Sequence, residues 1–252
     1  ARFKPLLPLT DGESALAVVT GAFRRAGVAD VVAVTGHRGR EVADEAARIV
    51  AQRGGILTVH ERACSAASTS YNPPIGGEPH NLRALKEMIE LTRRTGVKMQ
   101  YSHLIYVGKS TWRTVDESLE LIDRARAEGL DIAYDIYAMT FGASVITVVL
   151  PSWFLSLPKE KQHSFSARAR LAVEIAVTKR ALGFNFEDIQ ITWAGEGLEG
   201  ICGLRISEIA KRWKMSELDT YLKIVEESEG KGRVNMYRYY SEDIIKKLMR
   251  HE

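Results

Sequence analysis

Apolar positions along this chain fall into short continuous runs that alternate with segments of helical period. The alternation is most regular between Gly55 and Tyr137. Three runs there read as strands: Ile56-Leu57-Thr58-Val59-His60, Met99-Gln100-Tyr101-Ser102-His103 and Asp131-Ile132-Ala133-Tyr134-Asp135-Ile136-Tyr137. They are too short for helices and rich in β-branched and aromatic residues. Between them Leu82, Leu85, Met88 and Ile89, then Leu119, Ile122 and Ala125, recur at helical spacing, the stripe of a helix with one buried face. Upstream, Thr10-Asp11-Gly12-Glu13 reads as a capping box for a helix that turns Leu16, Val19 and Phe23 inward. Thr114-Val115-Asp116-Glu117 is a second such box, a hydroxyl followed three residues on by a carboxylate. Val31 to Thr35 reads as a strand buried on both faces, and 41–53 as a helix.

Strands alternating with helices through short connections dictate a parallel sheet with right-handed crossovers. Two architectures obey that rule, a (β/α) barrel and an open doubly wound sheet. No GxGxxG follows a strand, so a dinucleotide fold gains nothing from the pattern. The loop from Glu61 to His80 contains Tyr71-Asn72-Pro73-Pro74 and Gly76-Gly77-Glu78-Pro79, and connections of that length are usually functional or mobile. After Thr140 the rhythm changes. Gly142 to Leu157 reads as loop plus a short helix, Lys159 to Leu182 as one long helix, and Asp188 to Trp193 and Val234 to Tyr239 as strands. Leu204 to Trp213 and Ser216 to Glu227 read as helices, and Ser241 caps a last one. The expected division is 1–140 for βα units and 141–252 for a helix-rich insertion.

Composition narrows the class. A chain of 252 residues with 45% hydrophobic and 27% charged residues is an ordinary globular sequence. A net charge of +3 and the lack of a basic block interleaved with aromatics give no reason to expect nucleic acid. No apolar run approaches the roughly 20 residues of a membrane span. Cys64 and Cys202 are the two cysteines, far apart and outside any CxxC, so the expected setting is reducing and cytoplasmic. The chain opens Ala-Arg-Phe-Lys without methionine, so its first residue is not expected to be the start of translation.

In repeated strand–helix units the strand C-termini gather on one face, where ligands bind. His60 and His103 arrive at that face, and neutral imidazole is a common zinc ligand. From spacing alone they are either metal ligands or caps of the strand ends. Cys64 would need a neighbouring base to act as a nucleophile and reads as a small loop residue. His80 stands at a helix entry, for capping or substrate contact. His37, His163 and His251 read as surface residues, Lys109 as a solvated lysine, and the turn after Trp193 carries no assigned chemistry.

The run Thr58-Val59-His60-Glu61-Arg62, then Tyr101-Ser102-His103, then Asp135-Ile136-Tyr137-Ala138-Met139-Thr140 resembles the N-acyl-D-amino-acid deacylase (D-aminoacylase) branch of the amidohydrolase superfamily. That branch carries His-x-Arg at one barrel strand end, Ser-His at the next and Asp-x-Tyr-Pro-Tyr-Thr after a helix. Val234 to Arg250 also resembles it, and the likeness runs from about Val31 to the chain's end. It implies a hydrolase with a TIM-like barrel and one or two zinc ions at the barrel mouth. His60 and His103 match the branch's two single-histidine ligands, and Tyr137 matches a tyrosine near the scissile amide. Arg62 matches the arginine of His-x-Arg; it and His80 are candidate substrate contacts.

The departures are informative. The branch's His-x-His and its catalytic Asp in Gly-Ser-Asp-Gly are absent. Its early bridging cysteine has no counterpart, its Tyr-Pro-Tyr is replaced by Tyr-Ala-Met, and Ile105 stands where it has a lysine. Two histidines cannot saturate a tetrahedral zinc. The expectation is therefore the middle of a barrel, completed by a second polypeptide, by a homo-oligomer or by sequence not present here. The leading functional expectation is metal-dependent hydrolysis of a linear or cyclic amide in a small molecule. The alternatives are a non-catalytic barrel subunit that completes a partner, and an open-sheet binding or transferase domain without metal.

Overall fold

The computed structural model describes residues 14–25, 27, 39–68 and 70–251. The expected box at Thr10–Glu13 and the expected strand at Val31–Thr35 lie outside them. The described chain divides into two units. The first holds the segment up to Glu61, Leu85–Ser102 and Leu119–Asp135; the second holds Arg62–Ala84, His103–Ser118 and the segment from Ile136 onward.

The first unit contains helices α1 (Ala15–Arg25) and α2 (Gly39–Gln52), strands β1 (Ile56–His60), β2 (Lys98–Ser102) and β3 (Ile132–Tyr134), and most of helices α3 (His80–Thr95) and α4 (Val115–Ala127). Ser14 caps α1, its hydroxyl accepting from the Ala17 N–H at 3.2 Å. Val19, expected inward, is exposed. The three strands form one parallel sheet in the order β1-β2-β3, as the βα repeat requires. Met99, Tyr101 and Ile132 point to its buried face. There the Thr92 hydroxyl of α3 reaches the Met99 sulfur, and Arg126 of α4 donates to the Ile132 carbonyl. The alternate positions, Ile56, Thr58 and His60 on β1 and Ala133 on β3, are exposed, Ile56 by 65%. Parallel sheets are ordinarily covered on both faces. Among the described residues one face of this sheet is left largely exposed, and no closed barrel is present.

The second unit departs more from expectation. Phe141–Val145, expected as loop, is strand β4. It is followed by α5 (Ser152–Leu155), α6 (Lys159–Gln162), α7 (Phe165–Leu182), β5 (Ile189–Trp193), α8 (Ile206–Trp213), α9 (Glu217–Glu227), β6 (Arg233–Tyr237) and α10 (Glu242–Arg250). The expected single helix over Lys159–Leu182 is broken because the Ser164 hydroxyl accepts from the Ala167 N–H and starts α7 anew. Strands β4, β6 and β5 pair antiparallel in that order. Gly142 fits because a Cβ there would lie 2.2 Å from the Tyr239 ring. Ile189, Ile191, Val234 and Met236 are buried on one face. On the other, Gln190 accepts hydrogen bonds from Asn235 and Tyr237.

Candidate functional site

β1 ends at His60, and its register pairs His60 with Ser102, the residue before His103. His60 thus ends one strand, and His103 is the first residue after the adjacent parallel strand. His60 belongs to the first unit, and His103 opens a segment of the second.

His60 is exposed. Its Nδ1 lies 3.0 Å from the Glu61 carbonyl oxygen. A carbonyl only accepts, so this bond needs the proton on Nδ1. Glu61, next along the strand direction, turns the opposite way and is buried. Its carboxylate accepts from the Tyr101 hydroxyl at 2.5 Å, a short bond to a charged acceptor. Glu61 was not singled out in the sequence. The signal that would have found it is the period of two, which sends an acid after His60 to the covered face. On the exposed face Gln100 donates to the Asp135 carboxylate at 2.9 Å.

His103 leaves β2 at φ +43°. A non-glycine residue there costs on the order of 1–3 kcal/mol, and such strain concentrates at functional positions. Its imidazole stacks on the Tyr137 ring, with centroids 5.2 Å apart and planes 23° apart. The structure thus stacks His103 on Tyr137, both of them residues of the second unit. Burial pushes the Tyr239 phenol pKa up, with Cys64 and Tyr137 adding to the shift through their proximity. Tyr239 therefore stays neutral, as a donor.

Arg62 and His80 meet elsewhere in the same unit, around Tyr71. The exposed Arg62 guanidinium lies 5.7 Å from the Tyr71 centroid, and that of Arg83 lies 4.4 Å away. His80 is 2% exposed, with its ring 4.9 Å from the same tyrosine. The backbone N–H groups of His80 and Asn81 donate to the Ala66 and Ser65 carbonyls, tying the long loop to the start of α3. Ile105 is buried and apolar, so no cation is supplied at that position. Among the described residues no group of three or more His, Cys, Asp or Glu side chains is placed to hold a metal ion. Nor is any described helix long and apolar enough to cross a membrane.

No family model matches the chain. Over 171 residues it is 29% identical to an N-acyl-D-glutamate deacylase of Alcaligenes xylosoxydans xylosoxydans, a match covering 68% of this chain and 25% of that protein. Its fold is similar to the N-acyl-D-glutamate deacylase of Bordetella bronchiseptica, solved with zinc and a phosphonate inhibitor that mimics the tetrahedral intermediate. That likeness has a TM-score of 0.57 and 20% identity over 84% of this chain and 34% of the other. A D-aminoacylase structure described as defining a novel subset of amidohydrolases gives a TM-score of 0.54 and 18% identity over 83% and 33%. The chain spans about a quarter of the curated relative and a third of the solved structures. The resemblance to the D-aminoacylase branch is met in both sequence and fold.

Proposed function

We propose that this chain is the central part of a metal-dependent amidohydrolase of the D-aminoacylase type, one that cleaves the amide of an N-acyl amino acid-like molecule. The observation that carries this reading is that one motif histidine ends a parallel strand and the other directly follows the neighbouring strand. The related proteins support it: the Bordetella enzyme was solved with zinc, and a D-aminoacylase is described as having a binuclear metal centre.

His60 and His103 are the proposed ligands, and imidazole nitrogen suits zinc. The donor set is partial, because two imidazoles leave a tetrahedral site half filled and no third ligand is grouped with others among the described residues. The missing ligands and an aspartate general base are proposed to come from outside this chain, in further sequence of the same polypeptide, in a second polypeptide or in another copy. The exposed face of the β1-β2-β3 sheet fits that need, since a parallel sheet requires cover on both sides. When bound, such a metal supplies an acidified water and polarises the carbonyl. Within this chain, Tyr137 orients substrate from its place on the His103 ring, and the exposed Arg62 guanidinium offers a positive charge to a carboxylate. The buried His80 holds the loop through Tyr71 and reaches substrate only where that loop opens. The fold likeness and the motif matches give the non-catalytic and metal-free alternatives no support.

The test is elemental analysis of the native protein together with hydrolysis of N-acetyl-D-amino acids, repeated for His60→Ala and His103→Ala. Bound zinc and turnover are expected, and both should fall in each variant. A protein without zinc, or a His103→Ala variant as active as its parent, would falsify the reading.

A further inference from the structure

The segment after His103 is buried without being helix or strand. Leu104, Ile105 and Tyr106 are 3%, 4% and 0% exposed, and none belongs to a regular element. Buried backbone groups outside a ladder must be met some other way. Here the Leu104 carbonyl accepts from the Tyr240 hydroxyl at 2.6 Å, and the Tyr106 carbonyl accepts from the Trp112 indole. The Val107 and Gly108 N–H groups donate to the carbonyls of Cys64 and Arg238.

Among these contacts the Tyr240 phenol acts nearest to His103, on the carbonyl of the very next residue. It comes from 136 positions away along the chain. Its own approach is fixed. Arg238, two residues earlier, sits at φ +65°, and its guanidinium donates to the buried Asp188 carboxylate at 2.6 Å. The Tyr106 ring meets the Tyr240 ring edge-on, 6.4 Å between centroids. The left-handed turn at His103 is thus followed at once by a buried carbonyl anchored to a rigid neighbour.

We propose that Tyr240 is a positioning residue for His103: its hydroxyl, donated to the Leu104 carbonyl, holds the turn that aims the imidazole. A phenylalanine keeps the ring and its packing but leaves the buried carbonyl without that donor. An imidazole freed from this restraint relaxes toward ordinary backbone angles and away from its place on Tyr137. The zinc part of the test below rests on the proposed function; the spectroscopic part does not.

The experiment compares Tyr240→Phe with Tyr221→Phe in the intact protein. Tyr221 is an equally buried tyrosine of the same unit whose hydroxyl donates to the Ile146 carbonyl. Histidine ring signals are recorded by NMR in the metal-free protein, and zinc affinity is measured by chelator competition. Tyr240→Phe is expected to move the His103 ring signal, to leave that of the exposed His163 in place, and to weaken zinc about 10- to 100-fold, the usual effect of losing a group that orients a ligand. Tyr221→Phe should lower thermal stability and change neither readout. An unmoved His103 signal in Tyr240→Phe, or an equal shift in Tyr221→Phe, overturns the positioning role. If the parent protein binds no zinc, the metal reading fails, and the ring signals alone decide the role of Tyr240.

Discussion

The two sheets obey different rules. β1, β2 and β3 lie in chain order, parallel, each joined to the next through a helix. β4, β6 and β5 are antiparallel and drawn from segments forty or more residues apart. The antiparallel sheet is finished: Ile189, Ile191, Val234 and Met236 fill its inner side, and Gln190, Asn235 and Tyr237 satisfy one another on the outer one. That is the division expected of a sheet with one wet face. The parallel sheet leaves Ile56 and Ala133 exposed among the described residues. One sheet therefore has a filled inner side, whereas the other leaves apolar positions exposed. In the proposed function that exposed side is the barrel interior, and the histidines stand on its rim.

The contrast can be broken most decisively at two isoleucines. Ile191 is fully buried in β5, so Ile191→Ala should cost about 2–5 kcal/mol by transfer and cavity terms. Ile56→Ala in this chain alone should stay within about 0.5 kcal/mol, as for an ordinary surface change. In a protein that supplies the covering strands, the Ile56 substitution should rise to about the cost of a core truncation. Urea denaturation of both variants, in the chain and in the longer protein, measures this. An Ile56 cost that stays near zero in the longer protein would show the face to be solvent-exposed by design, and the barrel reading would lose its physical footing.

A smaller effect tests the covered side of the same platform. Tyr101→Phe removes the donor to the buried Glu61 carboxylate, which should cost about 1.5–3 kcal/mol, the value of a hydrogen bond to a charged group. Glu61→Gln, alone and in the Tyr101→Phe background, completes a double-mutant cycle in which the double variant should lose less than the sum of the two single losses. Strictly additive losses would mean that this hydrogen bond contributes little to the sheet.

The parallel sheet was legible because its information is local. The apolar runs ending at His60 and His103, and the stripes of Leu82, Leu85 and Ile89, sit within one βα unit each, and the unit's handedness follows from strand twist. β4 was not legible because Phe141-Gly-Ala-Ser-Val has little strand character by itself. It becomes a strand through β6, about ninety residues later, and through the Tyr239 ring that needs Gly142 to be bare. The site divides in the same way. His60, His103, Tyr137 and Arg62 were found as motif positions, and the stacking of His103 on Tyr137 gives two of them a shared geometry. Glu61 opens the loop after β1, as the sequence predicts, and its partner Tyr101 lies 40 residues away, beyond the reach of a loop reading. Tyr240 was out of reach, since nothing in the sequence relates it to a carbonyl 136 residues away.

The smallest expected effect concerns the same failing of local reading, within the second unit. Lys159 to Leu182 has helical composition throughout, yet the chain stops at Gln162 and restarts at Phe165. The Ser164 backbone is extended at φ −65° and ψ 144°, and its hydroxyl accepts from the Ala167 N–H. A serine at that position satisfies a donor that the first turn of α7 would otherwise leave unpaired. Composition favours one continuous helix, and the cap favours two. Ser164→Ala should therefore cost about 1 kcal/mol of stability, whereas Ser164→Asp should cost nothing or stabilise slightly, because its carboxylate can cap and also meets the positive end of the helix dipole. The exposed Ser166 hydroxyl lies 3.5 Å from that of Ser164, a long contact that caps no N–H, so Ser166→Ala should change stability by no more than about 0.5 kcal/mol. Thermal unfolding of the three variants reads the difference. If Ser164→Ala proves neutral, the break is imposed by the packing of α7 through Ala167, Leu171 and Ile175 rather than by its cap.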